Sequence, residues 1–214
     1  MNSMKHILTL MILALSGISA SAQTDEKAKT ILDKTVENIK SYPAVEVVFD
    51  LSMINKEENI QETHHGKAYM KDKMYRIDAM DVINYFDGEV IYTYMPEQEE
   101  VNIKNPDNNE EEMLNPSILF DIHNQKFTQK LIEEKDGKAY IELTPKKEHK
   151  QISRIGVWIN TKTNMVEKVT SFGKDGNDVI ITIKSLKKPD MELDVKFFRF
   201  DKDAHPEVEV IDLR

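Results

Sequence analysis

Between Val82 and Ile103 two runs rich in β-branched and aromatic residues, Val82-Ile83-Asn84-Tyr85-Phe86 and Glu89-Val90-Ile91-Tyr92-Thr93-Tyr94-Met95, flank an Asp87-Gly88 pair. Asp-Gly in that setting predicts a hairpin, because a tight turn needs positive φ at its central residues and these two residue types tolerate it. The period of two then puts Tyr92 and Tyr94 on one face. Pro96 has no N–H to offer a ladder and ends the run. The acidic Glu97-Gln98-Glu99-Glu100 reads as a solvated loop, and a further strand resumes at Val101-Asn102-Ile103. This hairpin is the expected organising centre of the chain.

The same device recurs on both sides. Val45, Val47, Phe49, Leu51 and Met53 alternate with Glu46, Asp50 and Ser52, the mark of a half-buried antiparallel strand, with Val47, Phe49 and Leu51 together on its apolar face. Lys56-Glu57-Glu58-Asn59 turns the chain into strands at 60–70 and 74–80, separated by Lys71-Asp72-Lys73. Further strands are predicted at 127–135, 138–144, 152–160, 165–172 and 179–186, with turns at Asp136-Gly137, 161–164 and Asp175-Gly176. Short strands at this spacing make a meander, sandwich or barrel. One helix precedes them. Thr24 is its expected N-cap, Asp25 and Glu26 suit the positive end of the dipole, and Ala28, Ile31, Leu32, Val36 and Ile39 form one apolar face. Tyr42-Pro43 stops it, since the residue before proline is pushed out of the α region.

The pattern breaks between Lys104 and Asn124. Asn105 to Glu112 is polar, after which Asn115 can cap a short helix with Pro116 at its first position. Met113, Leu114, Ile118, Leu119, Phe120 and Ile122 make that segment apolar nearly all round, so it is expected to lie against something as a mobile cover.

The first 22 residues predict a cleaved secretory leader: Lys5, an apolar run at 7–18 too short to span a bilayer, and Ala20-Ser21-Ala22 before Gln23. Residues 23–214 are expected to form a single exported, soluble domain. Losing Lys5 moves the formal charge from −9 to −10, which argues against nucleic acid as a standing partner. The chain has no cysteine, hence no disulfides, no lipidated cysteine and no thiol nucleophile. It also lacks a nucleophile elbow and a phosphate-binding glycine loop, so no catalytic residues and no cofactor are expected. His64 and His65, as strand neighbours, point to opposite faces and cannot easily share a metal. The acidic runs lack the alternating ligands and glycine of a calcium loop, so no metal site is expected. The methionines after the leader (Met53, Met70, Met74, Met80, Met95, Met113, Met165, Met191) would fill gaps in a core or line an adaptable cavity.

Several stretches, in this order, resemble the LolA family of periplasmic lipoprotein carriers: Val47-Val48-Phe49, Gly66-Lys67-Ala68-Tyr69, Asp87-Gly88 with Tyr92-Thr93-Tyr94-Met95-Pro96, and Asn115-Pro116-Ser117-Ile118-Leu119. Ile183-Lys184-Ser185-Leu186, Phe198-Arg199-Phe200 and Pro206-Glu207-Val208-Glu209-Val210-Ile211-Asp212 continue the resemblance to the end. It implies an α+β, mainly antiparallel fold: an open curved half-barrel with an N-terminal helix and a short helical lid across the concave face. It also implies a monomeric, non-enzymatic chaperone that holds lipoprotein acyl chains on that face and shuttles them from the inner to the outer membrane. An ABC-type release complex and an outer-membrane acceptor are the implied partners. The implied lipid-binding residues are Val47, Phe49, Leu51, Tyr75, Ile77, Tyr92 and Tyr94, with Leu114, Ile118, Leu119 and Ile122 in the lid; a charge at Phe49 should then hinder binding more than folding. The best-known carriers have an arginine in a lysine-arginine-proline turn that helps latch the lid, whereas this chain has Lys71-Asp72-Lys73 there, and Arg76 is not the equivalent position. A static lipid- or peptide-binding sensor of the same architecture is the alternative expectation.

Overall fold

A computed structural model of the protein describes residues 25–55, 57–106 and 126–214. The expected leader, the Thr24 cap and the cover at 114–122 lie outside the described residues.

Helix α1 occupies residues 25–40. Its apolar face is the expected one, with Ala28, Ile31, Leu32, Val36 and Ile39 all buried. Buried Thr35 satisfies its hydroxyl by donating to the Ile31 carbonyl at 2.9 Å. The strands are β1 (Val45–Asn55), β2 (Ile60–Lys71), β3 (Met74–Ala79), β4 (Val82–Phe86), β5 (Ile91–Met95), β6 (Glu100–Lys104), β7 (Phe127–Lys135), β8 (Lys138–Pro145), β9 (Ile152–Asn160), β10 (Met165–Gly173), β11 (Asn177–Lys187) and β12 (Glu209–Asp212). They form one open, curved sheet in the order β12-β6-β5-β4-β3-β2-β1-β11-β10-β9-β8-β7. Every pairing is antiparallel except that of β12 with β6.

The β4–β5 hairpin is therefore not the centre. That place belongs to β1, which ladders over nearly its whole length with β2 on one side and β11 on the other. Long ladders fix the middle of the sheet, and the five-residue strands of the hairpin lie toward the β12 edge. Its turn also differs from expectation. Residues 87–90 connect the strands and only Gly88 has positive φ, at 99°. Asp87 instead accepts hydrogen bonds from the amides of Glu89 at 3.0 Å and Val90 at 2.9 Å, an Asx turn built from the side chain. The two-residue form with both φ positive occurs at Asp136 (54°) and Gly137 (80°), as its sequence predicts, and also at Met80 and Asp81 (both 57°), where a strand was expected to run through Met80.

Directly opposed residues in an antiparallel ladder share a face. The register therefore sorts the sheet into two sides. On the helix face Val45, Val47, Phe49 and Leu51 line up with Met70, Ala68, Gly66 and His64 across one ladder, and Val47, Phe49 and Leu51 with Leu186, Ile183 and Ile181 across the other. The buried side chains of α1 join these in one core that reaches Ile141, Val157 and Leu131. Lys27 to Glu134 at 2.6 Å and Asn38 to the Asn164 carbonyl at 3.2 Å tether the helix to β7 and to the β9–β10 turn.

The opposite face is covered near β3–β6 by the stretch from β11 to β12, here called the strap. Its 3-10 turn, Val195–Phe198, is capped by the Asp194 carboxylate, which accepts from the Phe197 amide at 3.0 Å. Phe197 packs edge-on to Tyr69 at 5.0 Å, and Phe200 packs on Tyr94 at the same centroid distance. Lys71 donates to the Leu193 carbonyl at 2.6 Å, and Lys202 to the Val208 carbonyl.

Candidate functional site

Val47, Phe49, Leu51, Tyr75 and Ile77 come together on the helix face, in one buried cluster with α1. Around them Met53, Ala79, Phe86, Val169, Ile181, Ile183 and Leu186 are half-buried and pack against the cluster. Over this cluster the face is apolar with half-buried margins, whereas toward β4–β6 it carries Asn84, Thr93 and Asn102. Phe49 is only 6% exposed, and the end of its ring lies over Gly66 of β2, where a Cβ would stand 2.4 Å from the ring carbon Cζ. Only glycine leaves that room. Phe49 is thus part of the buried core, and a charge there is expected to harm folding as well as any binding.

Tyr92 and Tyr94 do not join this group. Tyr75 and Ile77 oppose Phe86 and Asn84, while Arg76 opposes Tyr85 and Tyr85 opposes Tyr92, which carries Tyr92 and Tyr94 to the strap face. There Tyr94 is buried with Tyr85, Val101, Phe200 and Val208, and Tyr92 donates to the Asp87 carboxylate at 3.3 Å. Ile91, Thr93 and Met95 are the β5 residues on the helix face. Leu114, Ile118, Leu119 and Ile122 lie outside the described residues. Sequence reading missed Ala79, Phe86, Val169, Ile181 and Ile183 as margin residues. Parity within 179–183 could have found the last two, but Ile180 blurs the alternation.

The two faces differ in charge. On the strap face, beyond the strap itself, Asp50 accepts from Lys184 at 2.6 Å and pairs with His65 at 2.7 Å. Bonding from Lys184, then from His65, holds the Asp50 carboxyl below its ordinary range. Buried Glu46 lies 3.4 Å from Lys67 and 3.8 Å from Lys187. On the same side Tyr140 stacks on Trp158 at 4.4 Å and the Lys168 ammonium sits 3.7 Å over the indole. Arg76 lies 5.1 Å over both Tyr85 and Phe197, so it takes part in strap packing and does not approach the helix face. His64 is on the helix face opposite Leu51 and His65 is on the other, and among the described residues no His, Asp and Glu cluster could hold a metal ion. No described helix is long and apolar enough to cross a membrane.

An open, mainly antiparallel sheet with one helix across an apolar face is a LolA-like architecture. The family model described as outer membrane lipoprotein carrier protein LolA matches residues 78–201, more than half of the chain, and the protein belongs to this family. An uncharacterized conserved protein from Thermus thermophilus has a similar solved structure, at TM-score 0.53 and 10% identity over 87% of this chain and 99% of that one. A LolA superfamily protein from Nitrosomonas europaea gives TM-score 0.46 and 13% identity over 81% and 97%. A putative outer membrane lipoprotein-sorting protein domain from Vibrio parahaemolyticus gives 0.47 and 10% over the same shares. At such identities the likeness is one of fold. No curated protein sequence matches the chain.

Proposed function

We propose that this protein is a periplasmic carrier that binds the acyl chains of lipoproteins on the helix face and moves them from the inner to the outer membrane. The observation that supports this reading is the extent of the apolar face. A helix the length of α1 is roughly 24 Å long and about 10 Å across. Strand β1 alone runs for roughly 36 Å, and each neighbouring strand adds about 4.8 Å of width. One helix covers only part of such a surface, and Met53, Ala79, Phe86, Val169, Ile181 and Ile183 form an apolar margin beside the closed core. Acyl chains suit it, since each methylene removed from water contributes about 0.8 kcal/mol. Binding needs no directional chemistry there. The charged pairs of Asp50 and Glu46, on the other side, keep that surface in water. Residues 23–214 would act as one exported unit, receiving cargo from an inner-membrane ABC-type complex and passing it to an outer-membrane acceptor.

The test is to purify the exported protein from its envelope fraction and extract it with organic solvent for mass spectrometry. Acylated lipoprotein or diacylglyceryl species should be present, and an Ile183→Glu variant, altered at the half-buried margin, should carry much less while keeping its circular dichroism. A protein that holds no lipid, and takes up none from a synthetic dipalmitoyl-glyceryl lipopeptide, would overturn the reading.

A further inference from the structure

A buried hydroxyl on the helix face is chemically out of place. Ser171, in β10, faces Val179 of β11 and Ile155 of β9 directly across its two ladders, and Val179 in turn faces Met53. The register thus sets its hydroxyl in a row of apolar side chains on the helix face. Ser171 is 8% exposed, and its Oγ has no hydrogen-bond partner among the described residues. Nearby Ser153 shows the ordinary solution, donating to the Phe172 carbonyl at 2.9 Å. A buried hydroxyl left without a partner costs free energy, so a sequence that keeps one in an apolar row retains a donor for something that arrives later.

We infer that the Ser171 hydroxyl donates a hydrogen bond to the ester carbonyl of a bound acyl chain. This rests on the carrier reading above. Hydrocarbon tails give an apolar surface no register, because every methylene is alike. The ester is the polar group that an acyl chain brings with it, and a donor standing in an apolar row can fix how far the chain is inserted. Val179 and Ile155 on either side offer the hydroxyl no competing side-chain acceptor.

The experiment compares 1-palmitoylglycerol, an ester, with 1-O-hexadecylglycerol, an ether without the carbonyl, for binding to the exported chain and to Ser171→Ala and Ser171→Thr. The native protein should prefer the ester by about fivefold, the worth of one neutral hydrogen bond. Ser171→Ala should lose that preference while binding the ether as before, and Ser171→Thr, which keeps a hydroxyl, should restore it. Without lipid, Ser171→Ala should melt no lower than the native protein, because no internal hydrogen bond is lost. Equal binding of ester and ether by the native protein, or a preference that survives Ser171→Ala, overturns the inference and leaves the carrier standing. A lower melting point for Ser171→Ala does the same, by showing a structural partner. Failure of the native protein to bind either lipid overturns both.

Discussion

The helix face around Phe49 and the strap face around Asp87 bury comparable side chains by different means. Around Phe49 the closure is mainly apolar contact: a ring on a glycine, aliphatic rows from neighbouring strands, and a helix laid across them that is tethered only near its ends, by Lys27 and Asn38. Around Asp87 the aromatic packing of Tyr94, Phe200 and Val208 is pinned by an ion pair. Arg199 donates to Asp87 Oδ2 from Nη2 at 2.7 Å and from Nε at 2.8 Å, the Asp87 side chain being 1% exposed and the Arg199 side chain 54%. Non-directional contact lets side chains be exchanged for those of a ligand, whereas a pinned interface has one arrangement. The face whose apolar core carries no such ion pair, its polar tethers lying near the ends of the helix, is the one suited to loading and unloading.

The largest effect should come from breaking the apolar closure. Truncating a buried phenylalanine costs about 3–5 kcal/mol, and a carboxylate in its place adds a further desolvation cost. Phe49→Glu is therefore expected to unfold the protein, read as loss of the cooperative urea transition. A Phe49→Glu protein that stays folded would show that the core around Gly66 is far looser than its contacts imply.

Removing the pin should cost less and act more locally. Arg199→Ala leaves the Asp87 carboxylate to the Glu89 and Val90 amides and the Tyr92 hydroxyl. Because the Arg199 side chain is half in solvent, the loss should be about 1–2 kcal/mol, at the low end for hydrogen bonds to charged groups. Hydrogen exchange should rise in the strap around Leu193 to Val208 and not in β1. Equal acceleration in both would mean that the two faces unfold as one unit and that the contrast between them fails.

The same pin predicts a pH dependence. Burial by itself raises the Asp87 carboxyl, but the amides of Val90 and Glu89 and then Arg199 outweigh it and hold the group below its ordinary value. The folded value is thus below the unfolded one, about 3.9. Its stabilising share is complete above that pH and is lost as the pH falls through the folded value. The difference in urea midpoint between the native protein and Asp87→Asn should be constant near neutrality and shrink below about pH 4. Other depressed carboxyls, among them Asp212 at about 2, respond in the same direction, so the subtraction of the variant isolates Asp87. A gap that persists unchanged at pH 3 would remove the charge from the explanation.

What could be read from the sequence divides along the same line. The apolar stripe of α1 and the strands of the β7–β11 meander follow from periodicity, because each strand carries its own alternation between Gly, Asn or Asp turns. The face to which a strand turns its apolar side is a different matter. It depends on the number of residues in every preceding turn, and Met80-Asp81 has no turn signature, so the parity of Tyr92 and Tyr94 could not be counted from Val47. The strap escaped because Phe197, Phe198 and Phe200 stand in a run rich in Lys, Asp and Pro with neither period, where only tertiary contacts make a fully buried Phe198. For the candidate site, Val47, Phe49 and Leu51 were legible as a face, and Tyr75 and Ile77 came only with the family resemblance. The division between closed core and half-buried margin was not, since it is set by where one helix lies on a broad sheet.

The smallest expected effect lies in the middle of the strap face, beyond the strap. His65 pairs with Asp50, and Lys184 reaches the same carboxylate, but the His65 side chain is 89% exposed. A contact so open to water exchanges hydration for bonding at little net gain, and double-mutant measurements of even fully charged exposed pairs give about 0.2–1 kcal/mol. His65→Ala should sit at the bottom of that range because Lys184 remains on Asp50, and added salt should erase what is left. Its melting point and its lipid loading should both match the native protein. A clear loss of loading without loss of stability would place a functional contact on the charged side of the sheet, and would mean that the helix face is not where the cargo or its donor is recognised.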